Sequence, residues 1–239
     1  MKFLSTLLLA LFGNFAQAQD WRTADRSSAG IAPSPQDEKR AVVQIYAART
    51  VGWKGHFGVH TWIAIKEKDA DFYETFQVIG YRARRGLDVV VVQESIPDGR
   101  WFGAMPELLR DLRGPGAESA IPKIREAAKS YPYQKDYRVW PGPNSNSFVS
   151  YIIRRTPEIG VELPANAVGK DWINKGSLFG VSETRTGFQF SVFGLLGFTL
   201  GLGDGIEVNI LGMSLGVDFF RPALKLPMVG RIGFQDKPL

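Results

Sequence analysis

The chain has 239 residues, with 29 Lys and Arg against 24 Asp and Glu, two His and no Cys. Without thiols, disulfides, thiolate metal sites and a lipidated cysteine are excluded. The net charge of +5 is modest and mixed, and Arg82, Arg84 and Arg85 form its one tight basic cluster. That cluster reads as a solvated strand end rather than the basic stripe of a nucleic-acid module, so no nucleic-acid partner is expected.

At the start, Lys2 precedes the apolar run Phe3 to Phe12, followed by Ala16-Gln17-Ala18. These are the n-region, h-region and A-x-A site of a secretory signal peptide over residues 1–18. The apolar run is too short for the ~20 residues that a spanning helix needs. The mature chain is therefore expected to be exported, to the periplasm or another envelope location. Residues 19–40, rich in Ser, Ala, Pro and Asp, predict a flexible leader.

From residue 41 to 175 the pattern predicts an α+β core. Residues from Val42 to Ala47 read as a buried strand, followed by strands at Val59 to Lys66, Tyr73 to Arg82 and Leu87 to Glu94. The spacing of Met105, Leu108, Leu109 and Leu112 then predicts a helix closed by Gly114-Pro115-Gly116. Ile121, Ile124, Ala128 and Tyr131 mark a second helix, with Pro122 in its first turn and Pro132 beyond its end. A short strand is expected at Tyr137 to Trp140. After Trp140-Pro141-Gly142-Pro143, a third helix should start at an Asn or Ser cap and stop at Thr156-Pro157.

Residues 176–239 have a different texture, Gly-rich and apolar. Strict alternation at Phe188, Phe190, Val192, then Phe198, Leu200, Leu202, then Ile206, Val208, Ile210 predicts paired strands, with Asp204-Gly205 as a hairpin turn. A β extension packed on the core is expected rather than a transmembrane helix.

The scarcity of histidine narrows the chemistry to His56 and His60. Their spacing lacks the helix, the following glutamate and the third ligand of a zinc site, so no metal and no other cofactor is expected. Gly212-Met213-Ser214-Leu215-Gly216 spells a nucleophile-elbow motif, but no histidine follows it and the segment reads as strand.

His60-Thr61-Trp62 on a strand, followed much later by Asn144-Ser145-Asn146-Ser147-Phe148-Val149 at a helix start, resembles another pattern. It is that of the circularly permuted branch of the NlpC-type papain-like superfamily, which includes lecithin retinol acyltransferase-like proteins. The resemblance covers roughly residues 41–160 and has no counterpart for the Gly-rich tail. The whole chain is also similar to a bacterial family of exported proteins of unassigned activity. Serine stands where the papain-like nucleophile is cysteine. The resemblance implies a permuted papain-like sheet with packed helices, His60 as base, Ser145 as nucleophile and an orienting group on the next strand. The polar candidates there are Glu74, slightly preferred, and Gln77, which point to opposite faces. Trp62, Trp140, Asn144 and Asn146 would line or orient the site. Most of these residues also have a plain structural reading: Ser145 as a helix cap, His60 as a core histidine beside Trp62, Trp140 and Phe148 as core, Glu74 as a solvated strand residue.

Two functions follow. One is a serine-variant hydrolase or acyltransferase acting on an amide, ester or thioester in the cell envelope. The other is an inactive binding protein that uses the same groove for a peptide, glycan or lipid-like chain. In that reading the apolar β tail contacts a membrane or protein.

Overall fold

A computed structural model describes residues 22–173 and 177–235 as an α+β fold with two antiparallel sheets. The expected signal peptide lies outside the described residues.

The first sheet has the order β4-β3-β2-β1-β5. Its strands are β1 (Val42–Arg49), β2 (Val59–Lys66), β3 (Glu74–Val78), β4 (Val90–Glu94) and β5 (Glu107–Arg113). Helices α1 (Pro115–Ser130) and α2 (Ser145–Arg155) cover one face. Between them and the sheet lies the main core, built from Val43, Ile45, Ile63, Ile65 and Phe76 against Ile121, Ile124, Phe148, Val149 and Ile152. The other face carries a second cluster of Val42, Tyr46, Trp62, Ala64 and Tyr73. Burial on both faces explains why β1 and β2 read as continuous apolar runs.

Residues 22–40, expected as a flexible leader, are held against this second face. The Asp98 carboxylate accepts hydrogen bonds from Ser28 Oγ (2.7 Å), Ile31 N (2.6 Å) and Ala32 N (3.1 Å). Tyr73 Oη donates to Pro33 O at 3.0 Å. Ile31 and Ala32 pack on the second cluster. The segment is ordered by one buried carboxylate far along the chain, which composition does not reveal.

The helix expected at Met105 to Leu112 is instead β5, paired antiparallel with β1. Its register shifts between Ile45 and Tyr46, so that Ile45 faces Arg110 and Tyr46 faces Leu108, leaving Leu109 as the extra residue. The bulge lets Leu109 and Leu112 both meet the main core while Leu108 joins the second cluster. A bulged strand with two apolar sides thus imitates helical spacing. Gly114, at φ 70°, and Pro115 open α1 rather than close a helix before it. The predicted strand at Tyr137 to Trp140 is irregular, and β3 gives way after Val78 to a 3-10 turn at Gly80–Arg85 that carries the arginine cluster.

The second sheet is a meander of seven strands in the order β12 to β6. They are β6 (Phe179–Val181), β7 (Gly187–Val192), β8 (Leu196–Gly201), β9 (Gly205–Ile210), β10 (Met213–Asp218), β11 (Ala223–Leu226) and β12 (Gly230–Gly233). Its polarity is reversed from the usual. Gln189, Ser191, Thr199, Glu207, Asn209, Ser214 and Lys225 are buried against the first layer, while Phe188, Phe198, Ile206, Val208, Leu215 and Leu224 face outward. The inward face is satisfied by polar partners. Glu207 pairs with Lys170 (2.7 Å) and Lys225 (2.9 Å), and Lys225 also pairs with Glu162. Asp171 accepts from Gln189, Asn209 and Ser214. Burial alone would raise the Glu207 carboxyl, but the flanking ammoniums hold it down at about 2. Among the described residues no helix is long and apolar enough to cross a membrane.

Candidate functional site

The proposed site residues converge where β2 begins, but by two different faces. On β2, Val59, Ile63 and Ile65 point to the helices, and Thr61 Oγ1 donates to Asn146 Oδ1 of α2 at 2.9 Å. Strand alternation therefore sends His60 and Trp62 to the opposite face. There the His60 ring stacks on Trp101, centroids 3.6 Å apart and planes within 12°. Its Nε2 lies 3.4 Å from Gln77 Oε1. Burial pulls His60 down to about 3, only partly offset by the Gln77 bond, so it is neutral at ordinary pH.

Gln77, and not the slightly preferred Glu74, is thus the residue beside His60. Glu74 lies on the helix face and pairs with Arg125 of α1 at 2.5 Å. Trp62 is a core residue, stacked on Tyr46 at 5.4 Å, with Nε1 donating to Pro97 O at 2.8 Å.

Helix α2 starts as its sequence dictates. Asn144 is the N-cap: its side chain accepts from Asn146 N (2.9 Å) and Ser147 N (3.2 Å), and Ser147 Oγ accepts from Asn144 N at 3.2 Å, completing a capping box. Asn146 Nδ2 donates to Val59 O (3.0 Å) and Val168 O (2.8 Å), fastening the first turn to β2. Asn144 and Asn146 are therefore fully occupied in structure. Ser145 is not the cap; its hydroxyl makes no hydrogen bond to a described residue, and none joins it to His60.

A cavity of about 490 Å³ wraps this end of the sheet, within the range of ligand pockets. Its wall is largely apolar, with Trp53, Phe57, Trp101, Val139, Trp140 and Val168, and carries polar groups at Ser145, Asn144, Asn146, Thr50 and Lys54; His60 reaches the same cavity. Trp140 Nε1 donates to Leu211 O at 2.8 Å, so the turn between β9 and β10 braces the groove. Trp53, Phe57 and Trp101 were not singled out from the sequence. Their clue is aromatics set in glycine-bearing loops, at Gly52 to Gly58 and Gly99 to Gly103.

The remaining motifs do not assemble catalytic machinery. His56 is exposed at the end of a 3-10 turn, and no group of three potential metal ligands occurs among the described residues. Ser214 of the elbow-like motif points into the polar interface and donates to Asp171 Oδ2 at 3.0 Å.

Residues 40–172 match the model of a family described as Protein of unknown function (DUF3750), and because this is more than half of the chain, the chain belongs to that family. The match spans the first sheet and both helices and ends before β6. No curated protein and no solved structure gives a significant match.

Proposed function

We propose that this DUF3750 chain is a non-catalytic binding protein of the cell envelope that seats a lipid-like acyl chain in the aromatic groove. The observation that carries the reading is the separation of roles around β2. The groove is largely apolar and sized for a ligand, while the neutral histidine at its edge is engaged by Gln77 and Trp101 and shares no hydrogen bond with Ser145. An acyl chain would lie along Trp53, Phe57, Trp101 and Trp140, and its polar head would meet the free Ser145 hydroxyl near the start of α2.

Tryptophan fluorescence tests this. Titration with a medium-chain fatty acid should change the emission saturably, and Trp140→Ala should weaken the apparent affinity about tenfold, given the hot-spot behaviour of buried aromatics. No saturable change with acyl chains of any length would overturn the proposal.

The unengaged Ser145 hydroxyl favours a second reading as an acyl-transfer nucleophile. It requires the His60 ring to leave Gln77 and Trp101 and turn around the end of the sheet, because proton transfer needs hydrogen-bond contact. Fluorophosphonate labelling of the wild type that is lost in Ser145→Ala would select this reading.

A further inference from the structure

The outward face of the second sheet is unusual in being apolar at every strand position. One row across the ladder runs Phe179, Phe190, Phe198, Val208, Leu215, and the next runs Val181, Phe188, Leu200, Ile206, Val217, Leu224, Ile232. A third comprises Val192, Leu196, Ile210 and Met213. Leu215 is 55% exposed and Leu224 51%, so nothing among the described residues covers this face. With the inward face given over to ion pairs and amides, the sheet has half of a sandwich core and lacks the other half.

We infer that a second copy of this chain covers that face, the two seven-stranded sheets packing front to front about a two-fold axis. Size is the first argument. Seven strands at ~4.8 Å spacing make a face about 30 Å wide, about 20 Å long along the six-residue strands β7 to β10 and shorter at β6, β11 and β12 at ~3.3 Å per residue. That is roughly 550 Å² in projection, and more once side-chain relief is included, against ~800 Å² per partner in a standard stable interface. Solitary monomers seldom expose so large a continuous apolar patch. Two such faces would interdigitate about 10 Å apart, as in aligned β-sandwiches.

Charge is the second argument, and it tells against a lipid surface. The described arginines of this layer are engaged by the protein itself: Arg185, though exposed, donates to Arg154 O, Arg221 to Asp218, and Arg231 to Asp218 and Arg221 O. Among the described residues they form no cationic ring around the apolar face for anionic headgroups. The open edges β6 and β12 would also present unpaired backbone groups to hydrocarbon. A self-complementary apolar face meets neither difficulty in a dimer, whose edges stay in water.

Light scattering and cysteine cross-linking of the purified protein test the inference together. The wild type should have twice the protomer mass at micromolar concentration, and Val208→Arg or Leu215→Arg should halve that mass with unchanged far-ultraviolet circular dichroism. Because the chain has no cysteine, a single thiol at Phe198, Val208 or Ile210 can bridge only to its copy. At least one of these variants should yield a disulfide-linked dimer under mild oxidation. A monomeric wild type without cross-links overturns the inference, even if the arginine variants fail to fold. So does a monomer that co-sediments with phosphatidylcholine or phosphatidylglycerol vesicles, which would make lipid the occupant.

Discussion

Thr61 and Asn146 join β2 to the first turn of α2: Thr61 Oγ1 donates to Asn146 Oδ1 at 2.9 Å in a fully buried setting. The same asparagine amide donates to Val59 O and Val168 O, so one side chain closes a helix, a strand and a loop around the groove. Among the described residues Ser145 has no hydrogen-bond partner for its hydroxyl, because its neighbours on both sides do this work.

Removing that clamp should be costly. Asn146→Ala leaves Val59 O and the Thr61 hydroxyl without their partner, while Val168 O keeps its bond from Asn144 Nδ2, and about 2–4 kcal/mol of stability should be lost. Thr61→Val should cost about 1–2 kcal/mol, because Asn146 keeps its two donor bonds. Urea denaturation of both variants checks the ranking, and equal losses would contradict it.

Gly169 offers a second route to the helix cap. It sits at φ 99°, and a Cβ there would come within 2.5 Å of Asn144 Nδ2 and 2.6 Å of Asn144 Oδ1. Gly169→Ala should displace the cap and strain the backbone, with a loss of about 2–3 kcal/mol from the two effects together. Fatty-acid affinity should fall with it, since the cap borders the groove. Thermal unfolding followed by a fluorescence titration reads both.

His60 predicts a pH dependence with a definite sign. Burial lowers its folded value to about 3 from 6.5, so the unfolded chain binds the proton more readily. Its contribution is complete above pH 6.5 and is lost as pH falls toward 3, at about 1.4 kcal/mol per pH unit once well below 6.5. Between pH 6.5 and 4.5, stability of the wild type should fall and that of His60→Gln should fall less steeply. Parallel curves from urea titrations at several pH values would refute this.

Glu207 acts at lower pH and for a different reason. Its carboxyl, held at about 2 by Lys170 and Lys225 despite its burial, contributes stability that is lost as pH falls from 4.5 toward 2. Glu207→Gln should cost roughly 3–5 kcal/mol at neutral pH, because two buried ammoniums lose a shared partner. Denaturation of the variant at pH 7 measures it, and an unchanged midpoint would show that water or Glu162 compensates.

The α+β class was legible in the sequence wherever one side of an element met the core. The period at Ile121, Ile124 and Ala128 gave α1, and the Asn144 to Ser147 run marked the start of α2 without saying which of its residues is the cap. Asp204-Gly205 gave the turn between β8 and β9. β5 was not legible, because its bulge spreads Leu108, Leu109 and Leu112 over two faces and counterfeits a helix. The ordering of residues 22–40 was hidden because it depends on Asp98, about 70 positions away. At the site, His60, Ser145, Asn144, Asn146 and Trp140, all named from the sequence, line one cavity. It could not orient His60, since choosing between Glu74 and Gln77 requires knowing which face of β2 the helices occupy.

The inverted polarity of the second sheet makes the two layers inseparable. Lys170 and Glu162 come from one layer, and Glu207, Lys225 and Arg231 from the other. A fragment cut after residue 175 would expose half of a charge cluster built to be dry. The complementary fragment would carry amides and ions on one side and bare hydrocarbon on the other, with nothing to fold around. Expression of either half alone should yield insoluble or unfolded material, and shuffling the C-terminal layer onto another scaffold would require transplanting the lysine and the acid that lie beneath it.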